Sequence, residues 1–128
     1  MTEGGDFDKL GRGAILRRPP ENCIHQNHVF RVRTKRTVLL PDYFHHFLQM
    51  PETRDYFLKC AKRTTNLASI NMTQLKALPV AIPPLEHQLR LVSEVEKVEF
   101  TMAKAKKQNL QANNLYISLQ SRAFRGEL

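Results

Sequence analysis

Arg31, Arg33, Lys35 and Arg36 place four cations within six positions, and a second group, Lys59, Lys62 and Arg63, runs directly into Thr64, Thr65 and Asn66. Guanidinium and ammonium groups bind phosphate oxygens, and threonine hydroxyls donate to them. Arg also carries the paired donors that read the guanine edge, and Asn the donor and acceptor that read adenine. Both groups therefore have the chemistry of a DNA-binding surface, with phosphate contacts outnumbering base contacts. The plain alternative is a solvated face of a basic protein. Cys23, His25 and His28 carry zinc-binding atoms, but in an extended chain positions 23 and 25 share a face that 28 does not, and no second ligand pair follows at zinc-finger distance. Gly11-Arg12-Gly13 lacks the third glycine and the Lys-Ser/Thr of a phosphate loop and reads as a turn. His45, His46 and Cys60 fall among helical core positions, which disfavours a Cys/His nucleophile. The expectation is a chain without catalytic residues, metal or cofactor.

The charge is distributed to match. Of the net +8, residues 1 to 85 hold 13 Lys and Arg against 7 Asp and Glu, while residues 86 to 128 hold 7 against 5. A basic excess favours polyanions through counterion release, and it lies in the part that carries both cationic groups. With 41% hydrophobic and 25% charged residues the composition is that of a folded domain. Two distant cysteines fit a reducing compartment and are expected to be buried thiols. No apolar run approaches a membrane span and no signal sequence opens the chain, so a cytoplasmic location without membrane association is expected.

The elements that must position these residues change character at Pro83-Pro84. Before it, Ala14-Ile15-Leu16 is expected as a short buried run. His28 to Arg33 alternates as a strand with Phe30 and Val32 on its apolar face. Pro41-Asp42 opens a helix bearing Tyr43, Phe44, Phe47 and Leu48, and a second helix from about Glu52 places Tyr56, Phe57, Cys60 and Ala61 on one stripe. Asn71 and Gln74 form a capping box for a short helix to Leu78. After the prolines, Glu86 to about Arg125 reads as one helix of about 60 Å. Its seam runs through Leu91, Val95, Val98, Met102, Ala105, Asn109, Ala112, Tyr116 and Leu119 in alternating steps of four and three, a coiled-coil pattern that calls for a second helix. The fold class is α+β: a small mixed domain over 1–84, then a long coiled-coil helix over 85–128.

Pro79-Val80-Ala81-Ile82-Pro83-Pro84-Leu85 with Gln88, Leu91 and Val92, and the closing Ala123-Phe124-Arg125-Gly126-Glu127-Leu128, resemble the conserved region and C-terminal ending of type I restriction-modification specificity subunits. Gly5-Asp6-Phe7, the Gly11/Gly13 turn, Pro41-Asp42-Tyr43-Phe44 and Ile70-Asn71 with Leu75 match as well, so the resemblance covers nearly the whole chain. His87 stands where the family carries glutamate. The resemblance implies the later part of one DNA target-recognition domain followed by a spacer helix. It also implies double-stranded DNA, methyltransferase (modification) subunits and a restriction subunit as partners, with all catalysis supplied by those subunits. In such an assembly the helix pairs with a second copy or repeat and sets the distance between two half-sites. The competing expectation is a coiled-coil interaction protein whose truncated head binds no DNA.

Overall fold

Pro41 and Pro51 each occupy a first helical position, where the missing N–H is no loss. From them run α1 (Pro41–Leu48) and α2 (Pro51–Cys60) in the computed structural model, which describes residues 1–7, 9–64 and 67–128. Thr53 Oγ1 donates to the Phe47 carbonyl at 2.8 Å and ties the two helices together. α3 (Met72–Lys76) begins on the predicted capping box: Gln74 N–H donates to Asn71 Oδ1 at 2.9 Å, and Asn71 N–H to Gln74 Oε1 at 2.7 Å.

Three short antiparallel strands, β1 (Gly4–Asp6), β2 (Lys62–Arg63) and β3 (Leu67–Ser69), form a sheet in the order β1-β3-β2. Gly4 and Lys62 are both opposite Ser69, and Gly5 and Arg63 are both opposite Ala68. A Cβ on Gly4 would stand 2.9 Å from the Ala68 carbonyl oxygen, so the close approach of β1 to β3 requires glycine there. Ala68 and Ile70 turn inward and meet Leu10, Phe57 of α2, Leu75 of α3 and Leu78 in one apolar core. Gly11 closes its edge at φ 73°, and a Cβ there would lie 2.8 Å from the Phe57 ring.

Three expectations are corrected. His28 to Arg33 is not a strand: its one rung is the bridge between Val29 and Thr2, and His28 has φ 70°, a left-handed conformation outside the range of regular strand backbone. The apolar alternation was real only at Phe30, which packs on the core, whereas Val32 is exposed. Ala14-Ile15-Leu16 is not buried. Ile15 is half-buried and its neighbours face solvent, because no element crosses over this loop among the described residues. Cys23 and Cys60 are half-buried free thiols rather than buried ones.

The described residues divide into two compact units, Met1–Val92 and Ser93–Leu128. α4 (Leu85–Phe124) begins in the first and makes up most of the second. Gly126 at φ 71° ends it in a Schellman turn, with Glu127 N–H donating to the Arg122 carbonyl at 2.9 Å and Gly126 N–H to the Ala123 carbonyl at 3.0 Å. The fold is α+β, and among the described residues no helix is long and apolar enough to cross a membrane.

Candidate nucleic-acid interface

The first cationic group splits. Arg31, Arg33 and Arg36 line an open cleft of about 1040 Å³ bounded by the 13–25 loop, the 29–36 segment and the start of α1. Arg17, which sequence reasoning passed over, lines it too and reaches Asp42 Oδ1 at 2.6 Å. Asp42 is the one carboxylate among the described lining residues, and that ion pair offsets its charge, so the cleft is cationic. Arg31 Nη1 donates to the Cys23 carbonyl at 3.3 Å, which holds the loop to the 29–36 segment while leaving the remaining guanidinium donors for a ligand. Lys35 lies outside the cleft on an exposed turn, where its carbonyl accepts the N–H groups of Val38 and Leu39.

Lys62 and Thr64 of the second group border a shallow hollow of about 480 Å³ over the sheet, together with Gly4, Ser69 and His28. Its floor is flat because Gly4 has no side chain and Ser69 a short one. Lys59 is exposed in the last turn of α2. Arg63 serves the fold instead: Nε donates to the Leu58 carbonyl at 3.0 Å, Nη2 donates to the same oxygen, and the guanidinium lies 5.8 Å from the centre of the Phe7 ring. Thr65 and Asn66 lie outside the described residues. His28 borders the hollow and its neighbour Val29 the cleft, so the two adjoin along the 28–36 segment; Glu3 also borders the hollow and offsets Lys62, so the net positive charge lies in the cleft.

On α4 the seam residues from Val98 to Leu119 are all exposed, with Met102 at 66%. A second stripe escaped sequence reasoning. Ala103, Leu110, Ile117 and Phe124 recur every seven residues, the first three each one position after a seam residue and Phe124 one after Ala123, which continues the seam's spacing, and so about 100° further around the helix. All four are exposed. Lys106 and Lys107 border this stripe, and no acidic residue occurs between Glu99 and Glu127. The signal was a strict seven-residue repeat hidden behind the stronger one beside it.

Comparison with known proteins decides what this arrangement is related to. The chain is 29% identical to the type I restriction enzyme EcoKI specificity subunit of Escherichia coli K12 over 129 aligned positions, 97% of this chain and 28% of that protein. It is 33% identical over 84 residues to the putative type I restriction enzyme MjaX specificity subunit of Methanocaldococcus jannaschii, 66% of this chain and 20% of the relative. The Escherichia coli EcoBI specificity subunit is 29% identical over 104 residues, 78% of this chain and 22% of that subunit. The chain is a relative of type I specificity subunits. It spans between a fifth and three-tenths of the length of these curated relatives. No protein-family model and no solved structure matches it.

The motif that carried the resemblance to specificity subunits has a structural centre in Gln88, which is fully buried. Its Oε1 accepts Leu40 N–H at 2.9 Å, and its Nε2 donates to the carbonyls of Val38 at 2.8 Å and Pro83 at 2.7 Å. Tyr43 Oη donates to the Ala81 carbonyl at 3.0 Å, so the Pro-Pro segment is tied to α1 on both sides. His87, beside Gln88, is exposed, and its N–H donates to the Pro84 carbonyl.

Proposed function

We propose that this chain is a DNA-recognition segment of a type I restriction-modification specificity subunit, comprising the later part of one target-recognition domain and its spacer helix. The observation that carries this reading is the alignment with a specificity subunit along 97% of the chain. The cationic cleft supports it. Arg31, Arg33 and Arg36, with Lys59, Lys62 and Thr64 beside them, contact duplex DNA, and most of those contacts go to phosphate oxygens. The exposed seam pairs with a second copy or repeat, and the second stripe offers methyltransferase subunits a separate face on which to dock. The chain itself does no chemistry; methylation and cleavage belong to its partner subunits.

A mobility-shift series across salt concentration tests the reading on the full chain and duplex DNA. Binding that weakens steeply with salt is expected, and replacing Arg31, Arg33 or Arg36 with Ala lowers the log–log slope by about 1 for each phosphate that the arginine had neutralised. No binding even at low salt would leave a helix-pairing protein without a DNA role.

A further inference from the structure

Six consecutive residues, Val29 to Thr34, line the cleft. Successive side chains of an extended run point to opposite faces, so a cavity over one face would meet only every second residue. A cavity that meets all six lies along the backbone edge, where the N–H and carbonyl groups are. Residues 30–35 run without turn or bend, as such an edge requires.

Part of that edge is already paired. Phe30 N–H donates to the Met1 carbonyl at 2.7 Å, the Met1 ammonium donates to the Phe30 carbonyl at 3.1 Å, and Glu3 N–H donates to the His28 carbonyl at 2.9 Å. This antiparallel ladder stops at Met1. Alternate residues offer their polar groups to the same edge, so those of Val32 come next in the row, and among the described residues neither has a partner. The walls beside them are apolar: Leu16 and Ile24 of the 13–25 loop are 63% and 90% exposed, and Val32 itself is exposed. A duplex backbone has no use for these groups. Its phosphates bring no N–H for the Val32 carbonyl, and charged oxygens gain nothing from aliphatic walls.

We infer that the cleft is a docking groove for an extended strand of another polypeptide, antiparallel to 30–34 and in line with Met1–Glu3, whose apolar and acidic residues alternate. A strand added to an open edge draws affinity from main-chain hydrogen bonds and specificity from its alternate side chains. Its apolar positions fall opposite Val32 and Thr34 and cover aliphatic wall. Its acidic positions fall opposite Arg31 and Arg33, where an opposite charge attracts and a like charge repels. The lining holds Arg17, Arg31, Arg33 and Arg36 against the carboxylate of Asp42, which Arg17 already pairs, so the charge calls for carboxylates. Arg36 and the second cationic group stay open to duplex DNA.

The test titrates the full chain with a capped peptide of alternating valine and glutamate, about six residues long, and follows exchange of the Val32 amide proton by NMR. Saturable binding that slows this exchange about tenfold or more is expected. Methylating the peptide's valine nitrogens, which face Val32, is expected to abolish both effects, while methylating its glutamate nitrogens, which face away, leaves them. Lysine in place of glutamate is expected to prevent binding. Every change is made in the peptide, so the fold of the chain is the same throughout. Unslowed exchange at about 1 mM peptide overturns the inference, as does binding indifferent to valine methylation or a lysine peptide that binds as well. Duplex DNA that slows Val32 exchange as the peptide does would give the cleft to the nucleic acid instead.

Discussion

Two phenylalanines mark the contrast between the two units. Phe57 is 1% exposed in the first, and Phe124 is 86% exposed in the second. Burying such a side chain is worth about 1.5–3 kcal/mol. The first unit collects that gain internally, from a core drawn from a loop, α2, β3 and α3. The second has no burial of its own: every residue from 96 to 128 is exposed, including both apolar stripes. Helices in proteins owe most of their stability to the packing of an apolar face. One unit thus holds apolar residues in a core of its own, and the proposed helix pairing would cover those that the other exposes.

The sharpest challenge to that contrast falls on the core. Phe57→Ala should cost the first unit about 3–5 kcal/mol in chemical denaturation, in the range of large-to-small core replacements. A loss below about 1 kcal/mol would mean that the unit is not held by this cluster. The next strongest reaches the other side. Val98→Lys with Leu119→Lys on the seam should turn an associating species into a monomer in sedimentation, while the denaturation of the first unit shifts by no more than about 0.5 kcal/mol. An unchanged mass would remove the seam as the pairing face.

The smallest effect concerns the edge of the core. Burial pushes the Cys60 thiol above the ordinary thiol range, so in the folded chain it keeps its proton where an unfolded thiol would lose it. The associated stability is therefore complete at neutral pH and is lost as the pH rises from the ordinary thiol range through the raised folded value. Alkylation of Cys60 at pH 8 should be slower in the folded chain than in urea. Equal rates would show a thiol more open than its half-buried position implies.

Much of this was legible beforehand where local chemistry is strong. The prolines at 41 and 51, the Asn71/Gln74 box and the long helix were each specified by residues close in sequence, and they form within a residue or two of expectation. The failures came where distant partners decide. A strand at 28–33 needed a neighbour along its length, and Met1–Glu3 provides one only near Val29, beside a left-handed His28 that alternation cannot reveal. Gly11 read as a turn, but its closeness to Phe57, 46 positions away, was invisible. The candidate interface was half legible. The arginines that line the cleft were singled out by type, yet Arg17 was missed because its partner Asp42 lies 25 residues further on. Arg63 looked like a phosphate ligand, but its guanidinium sits on the Leu58 carbonyl.

The opening strand also has a bearing on how the chain emerges during synthesis. Glu3 donates its N–H to the His28 carbonyl and accepts the Ile70 N–H on its own carbonyl, so its second neighbour is made 67 residues later. At translation rates of roughly 5–20 residues per second, that edge waits several seconds for its mate. During that interval a ribosome-bound chaperone, or the matching stretch of another nascent chain, could reach it first.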